Sequence, residues 1–136
     1  MTLAPDGLAR LVTAALPDEG VTAADLETCC YGPDTEILGD TNAAAVLTVK
    51  GAGGLAAAWL VLLVVHPDHY RRGRGRALVA ESAARARAAG AVDMHLGTAF
   101  PRYVWPGVDF RFTAALALFE ATGFEPYGAA CNMAIP

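Results

Sequence analysis

The spacing of apolar residues along the chain predicts alternating helices and strands. Apolar residues recur at helical spacing from Leu8 to Leu16, and the turn-forming run Pro17-Asp18-Glu19-Gly20 predicts the end of this first helix. Thr22 is a suitable N-cap for a second helix, because its hydroxyl precedes a run with Leu26 and Cys30 near one face.

Strand-like runs follow, and one of them predicts the centre of a sheet. The run from Leu55 to His66 is apolar at both alternating sets of positions, which is typical of a strand buried on both faces. Gly51 to Gly54 predicts a hairpin before it. The other predicted elements are strands at Glu36–Asp40, Ala45–Lys50, Val92–Gly97, Phe124–Tyr127 and Ala129–Ile135, and helices at Gly75–Ala89 and Thr113–Thr122. This order predicts an α+β fold in one domain, residues 1–136, with helices packed over a mixed sheet.

Charged residues are distributed unevenly along the chain. The composition is globular, with 54% hydrophobic residues, and the net charge of −4 argues against a general nucleic-acid partner. Six of the ten Lys and Arg residues nevertheless lie between Arg71 and Arg87. The sequence therefore indicates a local anion site.

Cysteine usage and hydropathy favour a cytoplasmic location. Cys29, Cys30 and Cys131 show no C-x-x-C spacing, so neither a disulfide framework nor a metal site is indicated, and reduced thiols are expected. The N-terminus lacks the pattern of a secretory signal. The apolar run from Leu55 to Val65 is shorter than the about 20 residues that a membrane span needs, so no membrane partner is expected.

The most informative segment is the one that joins the central strand to the third helix. It contains Gly73 and Gly75 among arginines, directly before a helix whose N-terminus exposes unpaired N–H groups. A P-loop is excluded because no Gly-Lys-Ser/Thr is present, and the dinucleotide fingerprint is excluded because Leu78 stands where its third glycine belongs. A phosphate-bearing ligand fits this segment best.

The run His66-Pro67-Asp68-His69-Tyr70-Arg71-Arg72-Gly73-Arg74-Gly75-Arg76-Ala77-Leu78 resembles motif A of the GNAT acyl-CoA N-acyltransferases. The segment Leu118-Phe119-Glu120-Ala121-Thr122-Gly123-Phe124 is similar to a second family pattern, L-Y-E-K-x-G-F. The resemblance covers roughly residues 5–135. It implies the GNAT fold, with a mostly antiparallel mixed sheet, and transfer of an acetyl group from acetyl-CoA to a primary amine within a ternary complex. The acceptor is a small-molecule or peptide amine whose identity the sequence leaves open.

The resemblance also implies which residues bind the cofactor. Backbone N–H groups at the helix start would hold the pyrophosphate, and pantetheine would pair with the preceding strand. The residues are Val64, Val65, Arg71, Arg72, Gly73, Arg74, Gly75 and Arg76.

Three departures from the family pattern leave alternatives open. Phe119 stands where the family has its general-acid tyrosine, and the strand from Leu55 to Val65 carries no carboxylate to act as a base. The family's first strand should precede the first helix, so here it is either abbreviated or supplied by another chain. The alternatives are a non-catalytic acyl-CoA-binding or sensor module, and a half-domain completed by a partner, for example in a homodimer.

A long loop with a W-P-G-V sequence, similar to a bacterial subgroup of the family, is the candidate acceptor site. Tyr103, Trp105, Asp109 and Arg111 are its candidate substrate-binding residues, with closure of the core as the other interpretation for Trp105. The candidates for proton transfer are Tyr103, Asp109 and Tyr127. His95 and Asp93, on the strand before the loop, either reach the site or are partly exposed strand residues.

Overall fold

A computed structural model describes residues 3–51, 55–97 and 112–126, which form four helices and four strands. The elements are α1 (Pro5–Ala15), α2 (Ala23–Cys30), β1 (Thr35–Asp40), β2 (Ala43–Lys50), β3 (Ala56–Val65), α3 (Arg74–Ala88), β4 (Ala91–Leu96) and α4 (Thr113–Ala121). Every helix and strand predicted wholly within the described residues is confirmed.

Local chemistry fixes the start of α2. Thr22 and Asp25 form a reciprocal capping box, in which the Asp25 N–H donates to the Thr22 hydroxyl and the Thr22 N–H donates to the Asp25 carboxylate. The hydrogen bond from the Thr22 N–H holds the pKa of Asp25 below its usual value. The predicted N-cap at Thr22 is therefore confirmed.

Helix α4 ends before Gly123 as predicted, but the strand predicted to begin at Phe124 does not form in the described residues. Gly123 has a φ of +101°, and the Phe124 N–H turns back to donate to the Phe119 carbonyl at 2.9 Å. This arrangement is a Schellman-type helix end, so residues 124–126 extend the cap and are not in a strand. The rest of the predicted closing pair, from Tyr127 to Ile135, lies outside the described residues.

The sheet has the order β1-β2-β3-β4 and is mixed, as predicted. β1 pairs with β2 and β2 with β3 in antiparallel fashion, whereas β3 and β4 are parallel. The apolar strand β3 thus has a strand on each edge, and its side chains pack under helices on both faces of the sheet.

Helices cover the two faces of this sheet and create two cores. On one face α1 and α2 pack against β3 through a cluster of Leu8, Leu11, Val12, Leu26, Cys29, Cys30, Ala44, Val46, Val61, Leu62 and Val64. On the other face α3 and α4 pack through Leu38, Ala43, Ala45, Leu60, Leu78, Val79 and Phe119. Because helices cover both faces of the sheet, a ligand can reach its middle strands only between or beside these helices.

In the part of the chain that the structure describes, no strand precedes α1, and β1 is an edge strand of the described sheet. None of the described helices combines the length and apolar character required to cross a membrane.

Candidate functional site

Of the two parallel strands, β4 ends before β3 does, and among the described residues the end of β3 has no strand partner on this side. The last hydrogen bond between described residues of the two strands runs from the Gly97 N–H to the Leu60 carbonyl at 3.0 Å. β4 ends at Leu96, whereas β3 continues to Val65. Beyond Leu60, no described strand lies on the β4 side of β3. We call this edge, from Val61 to Val65, the slot.

A β-bulge lies at the start of the slot. Val46 pairs with Leu62 and Leu47 pairs with Leu60, so Val61 is an extra residue in β3. Val61 and Leu62 consequently both contribute to the core under α1 and α2. A bulge bends its strand and interrupts regular pairing, and this one lies directly after Leu60, the last residue of β3 that pairs with described residues of β4.

The direction of the backbone groups decides which residues could hold a ligand in the slot. The His66 N–H donates to the Asn42 carbonyl, which lies on the β2 side, at 2.7 Å. Since backbone groups of successive strand residues point to opposite sides, Val64 also faces β2, whereas Leu63 and Val65 face the slot. An extended amide chain would therefore pair with Leu63 and Val65. The sequence did not single out Leu63, because nothing in an apolar run reveals the bulge that sets this alternation.

A compact turn connects the slot to α3. His66 accepts a hydrogen bond at Nδ1 from the Asp68 N–H at 3.1 Å and so caps the single 3₁₀ turn Pro67–His69. Arg71 has a φ of +61° and Gly73 a φ of +75°, both in the left-handed region. This region favours glycine, so Arg71 is held in a conformation that costs about 1 kcal/mol.

The two glycines of the motif have different surroundings. A Cβ on Gly73 would meet nothing within 4 Å, so this backbone is open to an approaching ligand. A Cβ on Gly75 would lie 3.2 Å from Leu118 of α4 and 3.8 Å from Val65. Gly75 therefore lets the start of α3 pack close to the end of the slot.

The arginines of the motif also fall into two groups. Arg74 donates to both carboxylate oxygens of Asp40 at 2.9 Å, which ties α3 to the end of β1. The Asn42 N–H, followed by Arg74, lowers the pKa of Asp40, so this pair is charged at neutral pH. Arg71, Arg72 and Arg76 are exposed and form no ion pair with the residues that the structure describes. These three guanidinium groups are free to meet phosphates, whereas Arg74 could contribute through its backbone N–H.

The residue at the family's acid position belongs to the core. Phe119 is 7% exposed and packs edge-on against Phe124, with ring centroids 5.5 Å apart. Its ring carries no proton to donate. The other candidates for proton transfer or acceptor binding, Tyr103, Trp105, Asp109, Arg111 and Tyr127, lie outside the described residues.

The cysteines that the structure describes are not placed for chemistry. Cys29 and Cys30 are buried thiols that form no disulfide with each other, and their sulfur atoms are 3.3 Å apart. The contact with Cys29, together with burial, raises the pKa of the Cys30 thiol, which keeps it protonated. Within residues 3–51, 55–97 and 112–126, no group of three His, Cys, Asp or Glu side chains is arranged to hold a metal ion.

Comparisons with known proteins define the class of fold. No protein-family model and no curated protein matches the sequence. Among solved structures, the chain is similar to a candidate acetyltransferase from Arthrobacter sp. FB24, with 25% identity over 100% of this chain and 91% of that one and a TM-score of 0.64. It is also similar to a ribosomal-protein-alanine N-acetyltransferase from Brucella melitensis biovar Abortus 2308, with 15% identity over 99% and 96% of the two chains and a TM-score of 0.70.

A third similar structure is a transcriptional regulator from Bacillus halodurans C-125, with 13% identity over 96% of this chain and 93% of that one and a TM-score of 0.71. The chain has the fold of the GNAT acetyltransferases, and the superfamily predicted from the motif is confirmed. This likeness supports an acyltransferase and leaves its acceptor open.

Proposed function

We propose that this chain is an N-acetyltransferase that moves an acetyl group from acetyl-CoA to a primary amine by direct attack within a ternary complex. The observation that carries the proposal is the slot beside β3, which ends next to the glycine-containing start of α3. An extended amide chain and a pyrophosphate are joined in this order in acetyl-CoA. The slot offers strand-like pairing to the first, and the helix start offers N–H groups and free arginines to the second.

Each part of the site has a physical task in this proposal. N–H groups from Arg71 to Arg76 hold the pyrophosphate, and exposed Arg71, Arg72 and Arg76 add charge-assisted contacts. Leu63 and Val65 fix the pantetheine, so that the thioester lies near the bulge at Val61. Rate acceleration then comes mainly from positioning and from backbone N–H groups that polarise the thioester carbonyl.

Two measurements test this proposal. Calorimetry should show that CoA binds and that its affinity falls with added salt, since salt screens the phosphate contacts. Release of CoA thiol, followed with a chromogenic disulfide across a panel of small amines and peptides, should show turnover that depends on the amine. Absence of binding would contradict the cofactor assignment, and binding without turnover would contradict the enzymatic one.

The acceptor side of the proposal rests on the W-P-G-V loop. We expect Trp105→Ala to impair acetyl transfer while acetyl-CoA affinity stays nearly intact, because the loop follows β4 in the chain, and β4 ends where the slot begins. Tyr103→Phe is the milder companion variant, since it removes only a hydroxyl. If Trp105→Ala unfolds the protein, Trp105 belongs to the core. If it folds and acetylates amines normally, the acceptor binds elsewhere.

A non-catalytic acyl-CoA sensor is the second candidate. It is favoured by the buried, proton-free Phe119 at the acid position and by the similarity to a transcriptional regulator. A sensor would bind CoA with the same salt dependence but release no thiol with any amine.

The half-domain alternative, in which a partner chain completes the sheet, is tested separately by the molecular mass in solution. A homodimer would have twice the 14.1 kDa of the chain.

A further inference from the structure

One tight turn contacts both ends of the loop that leads from the slot to α3. This turn, residues 40–43, joins β1 to β2, and we call it the brace. The Asn42 carbonyl accepts a hydrogen bond of 2.7 Å from the His66 N–H, at the end of the slot. The Asp40 carboxylate accepts two hydrogen bonds, each of 2.9 Å, from the Arg74 guanidinium, at the start of α3. The brace therefore fixes the residues on either side of this loop.

The loop between the two contacts, residues 67–73, depends on its ends for its shape. Most of its residues are exposed, and none of them belongs to the apolar clusters of the described residues. Arg71 and Gly73 both adopt left-handed conformations, and a non-glycine residue keeps such a conformation only where the surrounding structure imposes it. The directions of the loop N–H groups therefore depend on the contacts that hold its two ends.

The brace is itself closely packed, so it can hold the loop in place. Asp40 Oδ1 also accepts hydrogen bonds from the N–H groups of Asn42 at 2.8 Å and of Ala43 at 3.3 Å. Gly39, just before the turn, has a φ of +99°, and a Cβ at this position would overlap the Ala43 carbonyl oxygen. The same carboxylate thus closes the turn between β1 and β2 and binds the first residue of α3.

We infer that Asp40 is a positioning residue for the phosphate site and that it acts through Arg74. The inference rests on the proposed acetyl-CoA site. With the ion pair in place, the N–H groups of the loop and of the first turn of α3 are held ready for one diphosphate. A bound diphosphate would also displace water from around Arg74. The ion pair, which solvent screens in the free protein, would therefore contribute more in the complex.

The sign of the effect on CoA binding separates positioning from simple electrostatics. Asp40 places a negative charge beside a site for a polyanion, so Coulomb's law alone predicts that its removal strengthens CoA binding. Asp40→Asn keeps an oxygen for the N–H groups of the turn but has no charge to hold Arg74. We expect it to bind CoA about fivefold more weakly, which is the net contribution of about one hydrogen bond. The KM for acetyl-CoA should rise to match, with kcat unchanged.

Glu36→Gln is the matched control, because Glu36 pairs with Arg85 and so joins the same strand to the same helix. Arg85 lies 11 residues after Arg74, which is about 16 Å further along α3. Glu36→Gln should bind CoA as the wild type does. Both variants should stay folded, since an exposed ion pair contributes little to stability. In an Arg74→Gln background, Asp40→Asn should no longer weaken CoA binding, because the pair is already broken.

Calorimetry with CoA, together with thermal unfolding, decides the outcome. Unchanged or tighter CoA binding in Asp40→Asn would overturn the positioning role and leave the acetyl-CoA site standing. Equal weakening in Glu36→Gln would also overturn it, because any link between β1 and α3 would then have the same effect. An Asp40→Asn variant that does not fold would show that the pair serves folding and not the site. If the wild-type protein binds no CoA, the proposed site fails first and the role of Asp40 fails with it.

Discussion

Gly73 and Gly20 form a natural pair for testing the phosphate site. Both glycines are exposed and adopt left-handed conformations, with φ of +75° and +63° respectively. A Cβ built on either one meets nothing within 4 Å. They differ in position, because Gly73 precedes the first turn of α3 and Gly20 follows the 3₁₀ turn after α1.

Substitution by leucine at either position should therefore lower the stability of the fold by the same amount, but only the substitution at Gly73 should weaken CoA binding. The left-handed conformation of a non-glycine residue costs about 1 kcal/mol, so each variant should unfold about 4 °C below the wild type. At Gly73 the added side chain also occupies the space through which a pyrophosphate would reach the helix N–H groups. Losing two charge-assisted hydrogen bonds of about 1.5 kcal/mol each weakens CoA binding by about 3 kcal/mol, roughly a hundredfold.

Calorimetry with CoA and thermal unfolding of the two variants measure both quantities. Gly20→Leu should bind CoA as the wild type does, while Gly73→Leu should bind it about a hundredfold more weakly at the same thermal stability. Equal CoA affinity in the two folded variants would refute the assignment of the helix start as the phosphate site.

Three other features of the structure lead to testable predictions. Asp40→Asn should lower the free energy of unfolding by less than about 1 kcal/mol at neutral pH, because the exposed pair with α3 is screened by solvent. The pKa of Asp40 is lowered in the folded state, so the ionised carboxylate stabilises the fold at pH values above the pKa that Asp40 has in the unfolded chain. This stabilisation is lost as the pH falls through the pKa of Asp40 in the folded protein. The free energies of unfolding of the wild type and Asp40→Asn should therefore converge as the pH is lowered. Phe119→Ala should lower the free energy of unfolding, measured with urea, by about 3–5 kcal/mol, because Phe119 is buried. Phe119→Tyr should fold and keep any turnover. A Phe119→Tyr variant that is folded but inactive would show that the apolar ring itself is needed. Cys29 and Cys30 should resist a chromogenic disulfide until the protein unfolds, as seen by peptide mass mapping, and fast labelling of either in the native state would contradict their burial.

The sequence by itself determined the elements and the character of the motif. Hydrophobic periodicity located every helix and strand predicted wholly within the described residues, because amphipathic helices and a strand buried on both faces have distinct apolar spacings. The Gly73-to-Gly75 loop after an apolar strand indicated an anion site for an equally local reason, since glycines and a helix start act through the adjacent backbone. Thr22 could be recognised as a cap because its partner, Asp25, is only three residues away.

The tertiary structure decided what depends on residues that are far apart in the chain. Arg74 looked like the other arginines of the loop, yet it is paired with Asp40, 34 positions earlier. The bulge at Val61 turns the backbone groups of Leu63 and Val65 toward the slot. It arises from a one-residue register shift in the pairing of β2 with β3. His95 and Trp59 belong to separate strands, and only parallel pairing brings their rings together. Spacing along a chain reports the periodicity of one element, whereas register, face and pairing between elements arise only when the elements pack.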